Sequence, residues 1–298
     1  MEKNQEMALT QMRKSVEKLG SSTEGYGDPT LMRFLIARSM DQDKAAKMFV
    51  QWQNWRAAMA PNGAISESEI QDELEPRKIY LQGLSKDKYP VMIVKASKHF
   101  PSKDNVQFKR YVPPKGNYVV MVAIMKSSEP LPNDCLCLEK LTEALASVQN
   151  QRSLLNSLRL LMHVEFVVHL LDKTIASSFK GREIGNEKLI GILDLQNIGY
   201  KNIDARGLIT GFQFLQAYYP ERLAKCFILH MPRFFVSVWR MVSRFLEKAT
   251  LEKIVIVTNE DERLDFIKEV GEEVLPEEYG GRAKLVAIQD VVLASLEG

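Results

Sequence analysis

The chain has 298 residues, 45% of them hydrophobic and 26% charged, enough to bury one large core or two modest ones. Forty basic against thirty-eight acidic side chains leave a formal charge of +2, so no bulk field exists to recruit nucleic acid or an anionic membrane, and no nucleic-acid partner is expected. Three cysteines, Cys135 and Cys137 in a lone C-x-C and Cys226 inside an apolar run, argue against a disulfide framework or a zinc site and for reduced thiols in the cytoplasm.

The polar start of the chain does not read as a secretory signal, and no apolar run reaches the length of a membrane span. Residues 2–19 carry Met7, Leu9, Met12, Val16 and Leu19 at helical spacing, and Gly20-Ser21-Ser22 closes the segment. Asp28 followed by Pro29 predicts an N-cap and a first helical position, with Leu31, Phe34, Leu35 and Ala37 on one face. Asp41 opens a third helix bearing Ala45, Ala46, Met48, Phe49, Trp52 and Trp55. These segments are expected to form a helical cap on a core.

From Gly83 onward strands and helices alternate. Lys86-Asp87-Lys88-Tyr89-Pro90 predicts a turn, and strands are expected at 91–95, 164–171, 189–195, 226–230 and 253–257. A helix is predicted over 204–219, with Leu208, Ile209, Phe212, Leu215 and Tyr218 apolar. Near-continuous apolar strands separated by helices imply an α/β fold with a largely parallel sheet. Residues 113–165 break this pattern: Pro113-Pro114, Pro130 and Pro132 interrupt it, and 138–161 is a weakly organised helical run. Joining residue 112 to 167 would run a helix directly into a strand, so 113–165 is read as an insertion extraneous to the fold.

Between Tyr218 and Thr258 two apolar strands flank a helix predicted to open at Pro232 and end near Thr250. On a helical wheel Phe234, Phe235, Val238, Trp239, Met241, Val242, Phe245 and Leu246 fill an arc of roughly 160°, wider than docking on one core requires. Such a helix is either wedged between two packed layers or turns an outer apolar edge to a cavity or bilayer, with Arg240 and Arg244 available to lipid phosphates. Glu221 and Lys253 stand at the joints of this unit. Neighbouring parallel strands would let them meet at the rim of an apolar interior, as a structural ion pair or as partners for a phosphate flanked by polyol hydroxyls; otherwise they are two unrelated solvated charges.

Catalytic signatures are absent. There is no G-x-G-x-x-G, no G-x-x-x-x-G-K-[ST] and no G-x-S-x-G. His99, His163, His169 and His230 form no motif with a nucleophile, and the last two are expected in or beside strands as satisfied polar groups. A non-enzyme without metal or organic cofactor is expected.

Five stretches carry a family resemblance: Leu31-Met32-Arg33-Phe34-Leu35-Ile36-Ala37-Arg38, Trp55-Arg56, Leu193-Asp194-Leu195-Gln196, Tyr218-Tyr219-Pro220-Glu221-Arg222-Leu223 and Leu275-Pro276-Glu277-Glu278-Tyr279-Gly280-Gly281. In order and spacing they resemble the signatures of the CRAL-TRIO lipid-binding family, most closely its phosphatidylinositol transfer proteins. The resemblance implies a helical cap over 1–75 and a lipid-binding domain over 76–290, interrupted at about 113–165, whose mostly parallel sheet floors a hydrophobic pocket closed by a gate helix. The gate falls on 234–247, and the headgroup positions fall on Arg38, Glu221, Thr250 and Lys253. Asn197 replaces the glycine of the family's Asp-Leu-x-Gly, and Gly199 stands where a serine is common, which argues against choline-lipid binding. The function implied is binding and transfer of a phospholipid, phosphatidylinositol first, by a cytoplasmic protein that meets membranes transiently and can present its lipid to a lipid kinase. The alternatives are a trafficking adaptor that carries or senses another hydrophobe, isoprenoid or sterol-like, and, against the motifs, an α/β enzyme.

Overall fold

A computed structural model describes residues 3–99, 151–177, 187–203 and 205–292, with the backbone alone described at 151–163, 205–207 and 210. Three helices open the chain: α1 (Lys3–Lys18), α2 (Asp28–Ala37) and α3 (Gln42–Met59). Asp41 caps α3 as expected, its carboxylate accepting from the Lys44 N–H at 3.0 Å. At α2 the cap is Gly27, so Asp28 is already helical; its carboxylate favours the positive helix end and binds Arg13 at 2.8 Å, tying α2 to α1. The three helices interlock through Leu9, Met12 and Val16, Leu31, Phe34 and Leu35, and Ala45, Ala46 and Phe49. The Phe34 and Phe49 rings meet edge-on at 5.2 Å. Met7 and Leu19, expected on the apolar face of α1, are exposed.

A 3-10 turn (Glu67–Glu69) and the short α4 (Gln71–Leu74) lead into a five-stranded sheet. Its strands are β1 (Ile79–Leu84), β2 (Pro90–Lys95), β3 (Leu189–Asp194), β4 (Leu223–Leu229) and β5 (Ile254–Ile256), adjacent in that order. β1 pairs antiparallel with β2, and every later pairing is parallel, so the mixed α/β fold with a mostly parallel sheet is as expected. β1 itself escapes the pattern because Gln82 and Gly83 follow only three strand-forming residues, and a register shift lies between Leu81 and Leu84.

The strand expected at 164–171 is instead helical. Residues Gln151–Ala176 form one helix, α5, with Phe166, Val168, Leu170, Leu171 and Ile175 all buried. A continuous apolar run suits a buried strand or a helix buried on most sides, and periodicity alone does not separate them. Most of 113–165, the stretch read as an insertion, lies outside the described residues. Its remainder, 151–165, is the first part of α5, and the helix crosses position 165 unbroken. The joint of a helix with a strand imagined there is therefore corrected.

The sheet has two apolar faces. On one, Val91, Ile93, Ile190, Ile192, Phe227 and Leu229 are covered by Phe266 and Val270 of a helix over Glu260–Val270 and by Leu275, Tyr279 and Ala287 of the chain that follows. That covering chain turns at Tyr279-Gly280-Gly281: Gly280 takes φ +90°, and a Cβ at Gly281 would stand 1.9 Å from the Leu275 carbonyl oxygen. The other face carries Met92, Val94, Leu193, Cys226, Ile228, Ile254 and Ile256 and is covered by residues that include Trp52 and Trp55 of α3, Leu74 of α4, Phe166 and Leu170 of α5 and Phe235.

Candidate functional site

The open end of that second face is an apolar recess. Gly191 of β3 presents no side chain, and the nearest atom to a Cβ built there is the Cys226 sulfur at 3.8 Å. Cys226, Ile254 and Ile256 are half-buried although they lie in the middle of an apolar cluster, so water reaches a floor made of hydrocarbon and one thiol. Desolvation pushes that thiol up to about 12, keeping it neutral.

Helix α6 (Ala205–Tyr218) forms one wall, as its predicted span anticipates, with Leu208 in the same cluster. The roof is the over-wide segment. One continuous helix from Pro232 to Thr250 is not what forms: α7 covers Phe235–Val242, a 3-10 turn covers Ser243–Phe245, Leu246 is extended, and a short helix α8 occupies Lys248–Leu251. Leu246 is buried, as Phe235 and Val242 are, a placement that the i, i+4 spacing from Val242 would also give in an unbroken helix. The wide arc divides in three. Phe235, Val242 and Leu246 are buried; Phe234, Val238 and Trp239 touch the cluster while partly exposed; Met241 and Phe245 are 42% and 49% exposed.

A charged joint borders this recess. Lys253, one residue before β5, places its ammonium 2.9 Å from Glu221, which precedes β4, and both side chains are largely buried. The parallel pairing that sets Cys226 beside Ile254 brings the two charges together, as the spacing allowed. Glu221 adopts φ 55°, an unfavourable conformation for a residue with a Cβ, and its neighbours hold it there. The Pro220 carbonyl accepts from Arg33, Tyr219 donates to Asp172, and Arg222 pairs with the buried Glu187 at 2.6 Å. Thr250 lies one turn ahead, its carbonyl accepting the Lys253 N–H at 3.1 Å. Arg38 ends α2 and gives its hydrogen bond to the carbonyl of Ala37; among the described residues no contact joins it to Glu221, Thr250 or Lys253. Arg33, five positions earlier in the same motif, is the arginine that reaches the Tyr-Pro-Glu turn.

Asp194 closes the carboxyl ends of the parallel strands. It is buried and accepts from the Tyr279 hydroxyl at 2.8 Å, the His230 Nδ1–H at 2.8 Å and the Gln196 N–H at 2.9 Å. The bond and burial push the Tyr279 phenol well above its ordinary range. Two of the sequence stretches are thereby fastened to each other, and His230 is a satisfied polar group beside a strand. His169 is bonded too, to the Ile65 carbonyl at 2.8 Å, but from helix α5. Asn197 takes φ 60°, so it fills the backbone conformation a glycine would have supplied. Among the described residues no group of His, Cys, Asp and Glu is arranged to hold a metal ion, and no helix is long and apolar enough to cross a membrane.

A protein-family model, the CRAL/TRIO domain, matches residues 74–281. The chain belongs to the CRAL/TRIO family. A CRAL-TRIO domain-containing protein of Saccharomyces cerevisiae is 28% identical over 287 residues, covering 95% of this chain and 79% of that one. The Sec14 cytosolic factor of Schizosaccharomyces pombe is 25% identical over 285 residues, covering 94% and 83%. An Arabidopsis thaliana phosphatidylinositol/phosphatidylcholine transfer protein is 24% identical over 258 residues, covering 84% of this chain and 39% of that one. Among solved structures, the crystal structure of Sfh5 superposes with a TM-score of 0.55 at 14% identity, covering 90% of this chain and 77% of that one, a likeness of fold.

Proposed function

We propose that this CRAL/TRIO protein is a non-enzymatic carrier that takes one phospholipid from a membrane and releases it to another, with phosphatidylinositol as the preferred cargo. The observation that carries this reading is the Glu221–Lys253 pair at the rim of an apolar recess. A phosphate replaces the carboxylate at Lys253, and the freed carboxylate of Glu221 accepts from an inositol hydroxyl, so neither buried charge is left alone. Thr250 and Arg38 complete the headgroup set in this proposal. Burial of the acyl chains supplies affinity at about 0.8 kcal/mol per methylene, and the polar rim supplies selectivity.

Phe234, Phe235, Val238, Trp239, Met241, Val242, Phe245 and Leu246 form the proposed gate. In this reading it covers the recess when shut and hinges at the break at Leu246. Met241 and Phe245, on its exposed edge, are the side chains that enter a bilayer when it opens. The cycle places the protein in the cytoplasm with transient membrane contact, and a lipid kinase is a fitting recipient of its cargo. The name of the Arabidopsis thaliana relative, a phosphatidylinositol/phosphatidylcholine transfer protein, supports the same reading. Transfer of labelled phosphatidylinositol between vesicles tests it. Lys253→Ala should lower transfer about tenfold or more, the worth of a charge-assisted contact left unmade. Equal transfer by the variant and the wild type rejects the headgroup role.

A further inference from the structure

A second cavity lies away from the recess, where the helical cap meets α5 and α6. It has a volume of about 660 Å³, within the range of small-molecule sites. Trp52, Ile65 and Ile175 give it apolar wall, and Arg33, Arg56, Lys173 and Arg222 give it positive charge. Three of these cations are already neutralised: Arg56 by Asp172 at 2.6 Å, Lys173 by Glu67 at 2.7 Å and Arg222 by Glu187 at 2.6 Å.

Arg33 is different. It is only 5% exposed, yet among the described residues no carboxylate lies within ion-pair distance of it. One of its five N–H donors serves the Pro220 carbonyl at 3.2 Å, its guanidinium lies 5.6 Å from the Phe34 ring centre, and its Nε–H has no acceptor. Burial, with the charge of Arg222, lowers it from 12.5 to about 9 against the opposing pull of Glu187 and Glu221. On another wall His169 is 8% exposed. Its Nδ1–H donates to the Ile65 carbonyl at 2.8 Å, and its buried Nε2 has no hydrogen-bond partner, 3.8 Å from the nearer Glu67 oxygen. Unmet buried nitrogens on two walls of one cavity call for a ligand that bonds to both.

We propose that the cavity between the cap and α5–α6 binds a small phosphate monoester with a compact apolar body, its anionic oxygens on Arg33 and one phosphate oxygen hydrogen-bonded to Nε2 of His169. The phosphate has oxygens enough for both nitrogens, and the apolar body fills the space beside Trp52, Ile65 and Ile175, which a bare phosphate is too small to do. None of the proposed lipid headgroup positions lines this cavity, although Glu221 acts on Arg33 through space.

Isothermal titration of the full chain with phenyl phosphate and with inorganic phosphate at pH 6 tests this. Phenyl phosphate should bind once per chain and about tenfold or more tighter than inorganic phosphate. Arg33→Met should weaken it about tenfold or more, and Ala176→Trp, which fills the cavity without touching a charge, should abolish it. Lys253→Ala should bind as the wild type does, which separates this cavity from the lipid recess. No binding by the wild type, equal affinity for the two probes, retention by Ala176→Trp or Arg33→Met, or loss in Lys253→Ala each overturns the proposal. Should Arg33→Met fail to fold by circular dichroism, Ala176→Trp decides.

Discussion

Glu221 combines a charge, a partner and a backbone angle that argue against one another unless the surroundings over-determine it. Its φ of 55° carries a penalty of roughly 1 kcal/mol for any residue with a Cβ, and glycine escapes it. Glu221→Gly and Glu221→Ala remove the same carboxylate, so the two should lose phosphatidylinositol transfer equally. In urea unfolding the glycine variant should nevertheless be more stable by about 1 kcal/mol, and equal stabilities would mean that the turn holds no strain. Cys226 supplies a pH test of the recess. Its thiol ionises near 9.0 when unfolded and at about 12 when folded. Below pH 9 it has no effect, and above that the unfolded chain gives up its proton first, so stability falls by up to about 1.4 kcal/mol per pH unit. Between pH 8 and 10 the wild type should lose about 1 kcal/mol more than Cys226→Ala. Arg33 shows the limit of reading residues singly: it shares a motif with Arg38, and nothing in their spacing says which one is folded against the Pro220 carbonyl.

Elements were legible where their pattern had one physical meaning. α3 and α6 carry an apolar stripe with clear ends, and β2, β3 and β4 are apolar runs bounded by polar turns. α5 was illegible because Val167-Val168-His169-Leu170-Leu171 reads equally well as a strand, and only the neighbours that bury it decide. The roof segment was recognisable by its excess of apolar residues, but the break at Leu246 was not, since no glycine or proline marks it. Its exposed edge has a prediction of its own. Met241→Asp combined with Phe245→Asp should change stability by no more than about 0.5 kcal/mol per site, because both side chains already face water. Transfer between vesicles should fall several-fold in the same protein. A large loss of stability instead would show that the edge is packed.

At the scale of the whole molecule, two devices join parts distant in sequence. Trp55 of the cap stacks on Tyr218 of α6 at 4.2 Å, and Asp194 ties the ends of β3 and β4 to Tyr279. The first governs whether cap and sheet unfold together. Trp55→Ala should cost about 3 kcal/mol and split one cooperative transition into two, read by near-ultraviolet and far-ultraviolet circular dichroism. A single transition of unchanged midpoint would locate the coupling elsewhere.

By itself the sequence determined the helical cap and the mostly parallel α/β sheet, because each follows from local period, and it allowed the meeting of Glu221 with Lys253 that the pairing of β4 with β5 brings about. It also marked 234–246 as having more apolar surface than one core can cover. The tertiary structure alone decided the antiparallel β1, the helical state of α5, the broken roof and the choice of Arg33 for the cap joint. Each of these depends on which distant surface removes a group from water, and a chain of letters records the groups while only the folded packing sets their neighbours.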